Sequence, residues 1–252
     1  MKLLTLARDL RRRKARERQD LFVAEGLRSV EELLRSDLDV RGVLVSEFAS
    51  ENSRGKALLA QFGHRDLSVE EVDATTFASA ADTDSPQGIL AIAKIPDRSL
   101  PDLPREDTLR LLVLDAIQDP GNVGTILRTA AALGATATFS LPGTVDLWNA
   151  KVVRSGMGAH FHHPCLSGTW DDLDAFRRER SVSLWAADAS GDPIGGLDRP
   201  ARLAVVVGNE GSGLSSMARQ RAERMVALPI AESTESLNVA VATGILLYEL
   251  RR

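Results

Sequence analysis

Leu203-Ala204-Val205-Val206-Val207-Gly208-Asn209-Glu210-Gly211-Ser212-Gly213 is an apolar run that breaks into a glycine-rich turn around one carboxylate. The run predicts a strand, and the turn predicts a loop whose backbone can approach a ligand closely. Downstream, Leu228-Pro229-Ile230 leads into Ser236-Leu237-Asn238, where a short polar stretch opens an apolar helix running to about residue 250. Upstream, Leu111–Asp115 reads as a second strand, which passes through Asp119-Pro120-Gly121-Asn122-Val123-Gly124 into a helix carrying Arg128. Three such junctions describe a ligand cradle.

Around them strands and helices alternate. Strands are expected at 111–115, 136–140, 182–187, 204–207 and 225–228, and helices at 122–134, 237–250 and near 147–157, 171–179 and 215–223. This order argues an α/β fold with a parallel, doubly wound sheet and a ligand site at the C-terminal strand ends. Neither G-x-G-x-x-G nor a Walker A motif stands at a βα turn, which weakens dinucleotide and nucleoside triphosphate readings. Residues 1–95 read as a separate compact α/β unit, with strands at 21–24, 40–45, 67–69 and 88–93 and helices at about 3–18, 26–35, 51–61 and 73–80. Residues 96–107 carry Pro96, Pro101 and Pro104 among charged residues and are the natural linker to a second domain at 108–252.

Each junction has plain physical content. Pro120 fixes the entry to the first turn, while Gly121 and Gly124 allow a ligand or a helix to come close. Arg128 lies about one helical turn beyond Gly124 and can project along the same face. An isolated helical arginine is usually solvated, but Ile126, Leu127 and residues 129–133 make this helix apolar almost all round, so the cation is expected to face a pocket or a partner. Glu210 reads equally well as a functional carboxylate or as the first-turn acid of a helix starting near Leu214. Ser236 reads as the N-cap of the helix 237–250, with Asn238 in its first turn.

In order and spacing these segments resemble the three signature motifs of the SpoU (TrmH-like) family of RNA ribose 2′-O-methyltransferases. Asn122, Gly124 and Arg128 match Asn-x-Gly-x-x-x-Arg, and Gly208, Glu210 and Gly213 match Gly-x-Glu-x-x-Gly. Pro229, Ile230, Ser236, Leu237 and Asn238 match Pro-Ile followed by Ser-Leu-Asn. The resemblance spans roughly residues 107–252. It implies S-adenosyl-L-methionine as cofactor, held against the backbone of Leu141, Gly208, Leu228, Ile230 and Leu237, with their apolar side chains enclosing the adenine. It implies a catalytic set of Arg128, Asn122, Glu210, Ser236 and Asn238. An arginine stays protonated, so Arg128 is preferred as stabiliser of a developing alkoxide or anchor of the adjacent phosphate over a role as base. The resemblance further implies a C-terminal trefoil knot and a homodimer formed through the helix carrying Arg128 and the final helix. The stretches Leu21–Gly26 and Ser85-Pro86-Gln87-Gly88 look like parts of the substrate-binding domain fused to many members, which implies an N-terminal fold similar to ribosomal protein L30e.

Composition bounds the remaining questions. The net charge of −4 does not by itself suggest nucleic-acid binding, but residues 1–20 hold eight basic residues against three acidic ones. Arg11, Arg12, Arg13 and Lys14 at the centre of that cluster are a candidate phosphate footprint; a solvated helix face is the plainer alternative. Aromatic content of 4% argues for recognition of structured RNA by backbone and shape rather than by base stacking, with ribosomal RNA favoured over transfer RNA. Cys165 is the single cysteine, so no intramolecular disulfide can form. No membrane-spanning run or signal-peptide core is seen, and a cytoplasmic location is expected. His160, His162 and His163 lack companion ligands with metal spacing and are expected at the surface or a dimer interface, with no metal bound. Two other readings stand beside the enzyme: a catalytically silent RNA-binding assembly factor of the same fold, and a nucleotide-binding enzyme of ordinary doubly wound type.

Overall fold

A computed structural model describes residues 2–51, 53–62, 67–231, 233–234 and 236–251. The chain forms two compact units, Met1–Asp97 with Asp146–His162 and Arg98–Val145 with His163–Arg252. Its first elements are α1 (Leu3–Leu10), α2 (Arg13–Gln19), β1 (Leu21–Glu25), α3 (Leu27–Leu34), β2 (Val40–Val45), α4 (Ser53–Phe62), β3 (Val69–Glu71), α5 (Ala74–Ala78) and β4 (Ile89–Lys94). There follow β5 (Leu109–Asp115), α6 (Pro120–Ala132), β6 (Ala137–Ser140), α7 (Ala150–Ser155), β7 (Cys165–Ser167), α8 (Trp170–Arg180), β8 (Ser183–Pro193), β9 (Arg202–Gly208), α9 (Ser216–Arg221), β10 (Arg224–Ala227) and α10 (Val239–Leu250).

In the first unit the strands lie in the order β1-β4-β2-β3, with β4 antiparallel to both neighbours and β2 parallel to β3. The helix expected over 3–18 is two helices, because Arg12 takes an extended conformation and starts α2 afresh. Arg16 explains the break. Its guanidinium is buried and accepts no water-facing role: it donates to the carbonyls of Leu10 and Arg11, at 2.7 and 3.0 Å, which the end of α1 leaves free. It also pairs with Asp146 at 2.5 Å. That ion pair, with the ring of Trp148 4.6 Å from Phe22 and that of Phe161 5.9 Å from Phe22, gathers 146–162 into the first unit. The sequence reading had placed this segment, α7 included, in the second domain.

The second unit carries the parallel sheet, in the order β10-β8-β9-β5-β6-β7. Every pairing in it is parallel. Its central strands β5 and β9 are buried nearly throughout, which their Leu- and Val-rich sequences allow. The short strand β7 escapes a sequence reading because three residues carry no periodicity. Residues 98–107, read as linker, are part of this unit. Leu100 and Leu103 are buried in its core, and Arg180 donates to the carbonyls of Pro101 and Leu103 at 3.0 and 3.2 Å.

Two of the three histidines are not at the surface. His160 is buried in the first unit beside Trp148 and bonds the Leu147 carbonyl at 2.9 Å, and His163 is buried in the second, 2.8 Å from the Thr138 hydroxyl. Among the described residues no cluster of His, Cys, Asp and Glu could hold a metal ion, and no helix is long and apolar enough to cross a membrane.

Burial lowers the His163 pKa from 6.5 to about 4, since an imidazolium there would lose its water. Between those two values the unfolded chain holds a proton that the native chain does not. Stability should therefore be complete above about pH 6.5 and fall with acidification toward pH 4, with a slope of up to one proton. Denaturant titrations across that range should show His163→Asn flattening the slope; an unchanged slope would contradict a neutral buried imidazole.

Candidate active site

The site begins where β5 ends. Asp115, its last residue, is buried and accepts the backbone N–H of Ser215 at 2.7 Å, so a carboxylate on β5 anchors the segment that leads into α9. Ala116 then takes a left-handed conformation, φ 58°, that a non-glycine residue adopts only at a cost of about 1–2 kcal/mol. The Asn209 side chain holds it there by donating to the Ala116 carbonyl at 2.9 Å. Asp119 caps α6 by accepting from the N–H of Asn122 at 2.8 Å, with Pro120 in the first helical position where its missing N–H costs nothing.

From this cap the Asn122 side chain links the other two motifs. Its Nδ2 donates to Glu210 Oε1 at 2.8 Å, and its Oδ1 accepts from Asn238 Nδ2 at 3.1 Å. Asn238 Oδ1 in turn accepts the N–H groups of Ala240 and Val241, at 2.9 and 3.4 Å. A carboxamide donates and accepts at once, so each asparagine can serve as a link, and the direction is forced from both ends. Asn238 is thus the N-cap of α10. Ser236, expected in that role, is instead exposed and lines a cavity, because the helix starts two residues later than its apolar pattern suggests.

Glu210 is not a first-turn acid either. Residues 209–213 close on themselves, the N–H of Asn209 donating to the Gly213 carbonyl at 2.9 Å and the N–H of Gly213 returning to Asn209 at 3.0 Å. Asn209 Oδ1 also accepts the N–H groups of Gly211 and Ser212. The helix α9 begins only at Ser216, under a Ser215 cap. Glu210 therefore stands at the tip of a closed turn with its carboxylate directed to Asn122. Asn209, which a motif reading passes over, does most to shape this turn; an asparagine directly after a strand-ending glycine is the signal that could have found it.

Beside the turn lies a cavity of about 430 Å³, lined by Val207, Gly208, Glu210, Leu214, Leu228, Ile230, Ser236, Leu237 and Leu246 among others. Its volume falls in the range of small-molecule sites, roughly 300–1,000 Å³. Its walls suit a ligand with an apolar, flat portion and a polar tail, since leucine, isoleucine and valine side chains alternate with glycine backbone. A Cβ on Gly208 would lie 2.5 Å from the Gly213 carbonyl carbon and 2.6 Å from the Leu214 nitrogen, so only glycine lets the turn pack this closely.

Four of the five residues expected at a cofactor, Gly208, Leu228, Ile230 and Leu237, line this cavity, and so do Glu210 and Ser236. Leu141 does not: its side chain is buried in the sheet core. Arg128 is outside the lining as well. It sits on the solvent face of α6, beside exposed Thr125, and makes no hydrogen bond or ion pair among the described residues. The near all-round apolar pattern of this helix is explained by α10, whose Gly244 lets Thr129 approach closely, and not by a pocket around Arg128.

Two family models match successive stretches of the chain. The family model described as the SpoU rRNA Methylase family matches residues 110–248, and an MRM3-like substrate binding domain matches residues 5–91. The chain is 31% identical to the 23S rRNA (guanosine(2553)-2′-O)-methyltransferase RlmP of Bacillus subtilis, over 96% of this chain and 93% of the relative. Among solved structures, the SpoU methyltransferase AviRb from Streptomyces viridochromogenes in complex with AdoMet superposes with a TM-score of 0.86 at 27% identity, covering 100% of this chain and 97% of that one. An AdoMet-bound rRNA methyltransferase from Sinorhizobium meliloti superposes with a TM-score of 0.85 at 28% identity, covering 99% and 94%.

Because a side chain at position 208 would meet only backbone, Gly208→Ala should displace the 209–213 turn and destabilise the fold by about 1–3 kcal/mol. A urea midpoint equal to that of the native sequence would show that the turn does not depend on this close approach.

Proposed function

The chain belongs to the SpoU rRNA methylase family, and from that premise we propose that it is an S-adenosyl-L-methionine-dependent ribose 2′-O-methyltransferase acting on ribosomal RNA in the cytoplasm. The observation that carries the reading is the Glu210–Asn122–Asn238 chain of hydrogen bonds, one end of which opens on the cavity. A relative matched over nearly its whole length is named as a methyltransferase, so a catalytically silent assembly factor of the same fold is not favoured.

The cavity residues fit the cofactor. Leu228, Ile230 and Leu237 offer apolar surface for the adenine, and the backbone of the Gly208 turn offers polar groups to its remainder. Bound there, S-adenosyl-L-methionine supplies an electrophilic methyl group on a sulfonium. For that methyl group the ribose O2′ would be the acceptor, and its hydroxyl proton would pass to water. What the chain must contribute is alignment of the two reactants and stabilisation of charge on the oxygen. Asn122, Glu210, Ser236 and Asn238 are assigned to the first task and Arg128 to the second, as a fixed cation for the developing alkoxide or the neighbouring phosphate.

Arg128 faces solvent in a single chain, which suits a site completed by a second copy. The exposed side chains of α10 support the same reading: Val241, Ile245 and Tyr248 are 53, 41 and 39% exposed, an apolar row that solvent alone does not favour. We assign a homodimer built on α10 and the adjacent face of α6. Residues 1–95 are assigned to RNA binding. Arg11, Arg12, Arg13 and Lys14 are all exposed there, although Arg12 pairs with Asp9, Arg13 pairs with Glu17 at 2.7 Å, and Arg11 reaches the Ser79 carbonyl at 3.4 Å. Lys14 keeps no such partner among the described residues, and exposed pairs of this kind cost little to exchange for phosphate.

Arg128→Ala should lower the methyl-transfer rate by far more than tenfold while leaving cofactor affinity and melting temperature nearly unchanged. Turnover within tenfold of the native rate, about 1.4 kcal/mol in barrier, would remove Arg128 from the catalytic set. Sedimentation equilibrium at micromolar concentration should give a dimer of this 27.2 kDa chain; a fully active monomer would refute the shared site.

A further inference from the structure

Part of the cavity wall comes from an irregularity in β8. Along the β10–β8 ladder Met225 faces Ala186 but Val226 faces Asp192, so residues 187–191 leave the regular register. Bulges of this kind re-aim side chains and are common beside active sites. Here the excursion places Ala187, Asp188 and Ala189 in the cavity lining. Gly191 makes the return possible, since a Cβ there would lie 2.5 Å from the Val226 nitrogen.

Asp188 is the chemically distinctive residue of the excursion. Its side chain is largely buried, and Oδ1 accepts from the N–H and hydroxyl of Ser190 at 3.0 and 2.6 Å. Its other oxygen pairs with Arg219 Nη2 at 2.6 Å. The Ser190 hydroxyl and then the Arg219 guanidinium hold the carboxyl below its usual pKa, so it is ionised wherever the enzyme works. Arg219 itself is about half exposed and does not line the cavity, so water screens the cation more than it screens the anion. Among the described lining residues the only ionisable side chains are Asp188 and Glu210, and both are acids.

We propose that Asp188 is a specificity-determining residue, which makes the cavity prefer the positively charged cofactor to the uncharged thioether product. This rests on the S-adenosyl-L-methionine reading above. Methyl transfer removes one positive charge from the ligand, turning a sulfonium into a thioether and leaving the rest of the molecule unaltered. A cavity whose ionised walls are all acidic binds the two forms unequally, and the inequality drives product out after each turnover. Asp188 and Arg219 act on it with opposite signs, because one supplies the negative charge and the other offsets it.

Isothermal titration of the full-length protein with S-adenosylmethionine and with S-adenosylhomocysteine measures the ratio directly. Asp188→Asn keeps the shape and, through its Oδ1, both Ser190 contacts but removes the charge, and it should reduce the preference for S-adenosylmethionine by roughly tenfold, or 1.4 kcal/mol. Arg219→Gln should move the ratio several-fold the other way. If Asp188 merely clamps the bulge, both variants will weaken the two ligands alike, and a ratio within twofold of the native value in both would overturn the proposal. Should Asp188→Asn fail to fold in a thermal melt, the sign of the Arg219→Gln shift decides alone. Native protein that bound neither ligand would instead overturn the cofactor reading, and this inference with it.

Discussion

Glu210 can only accept hydrogen bonds, and the N–H groups that open α10 can only donate them. Between these two ends stand Asn122 and Asn238, each passing on a bond in the same sense. Reversing either carboxamide would set donor against donor or acceptor against acceptor, so the chain has one arrangement. Three segments that are far apart in sequence are registered by it: the first turn of α6, the tip of the 209–213 turn and the cap of α10. A helix cap normally stabilises only its own helix. Here the cap of α10 is joined to the first turn of α6 through the Asn122 amide, so α6, α10 and the turn between β9 and α9 take up their places together.

The neighbouring cavity is made by backbone more than by side chains. Gly208 lets the turn fold back onto its own strand, and Gly191 lets an irregular stretch of β8 rejoin the sheet after placing Asp188 in the wall. Both are positions where a single methyl group would collide with main chain, which cannot move aside as a flexible side chain can. Asp115 and Asn209 complete the scaffold, the first tying β5 to the approach of α9 and the second holding Ala116 in a conformation it would otherwise avoid. Strain of this kind next to a binding site is what a fixed ligand geometry requires.

The basic N-terminal segment divides into two roles. Arg16 is structural: it is buried, satisfies the carbonyls at the end of α1 and pairs with Asp146. Arg11, Arg12, Arg13 and Lys14 remain at the surface, with contacts weak enough to be exchanged. A count of positive charge alone treats all of these residues alike. Burial separates them, because a guanidinium removed from water must keep its partners, whereas a solvated one can trade them for phosphate.

The parallel sheet was legible in the chain because β5 and β9 are apolar runs that nothing but a two-sided core would bury, and because glycine, proline and asparagine mark the ends of such runs by conformational necessity. The motif residues were legible for the same reason, since their spacing is local. Local information did not extend to partners. That Asn122 meets both Glu210 and Asn238, that Asn238 and not Ser236 caps α10, and that residues 146–162 join the first unit all depend on contacts between residues remote in sequence. The bulge in β8 and the burial of His160, His163 and Arg16 were hidden likewise, because exposure belongs to a residue's surroundings and not to its type. Arg128 shows the boundary most clearly: the sequence supplied its identity and its helix, while the solvent face on which it lies was decided by how α10 packs against α6.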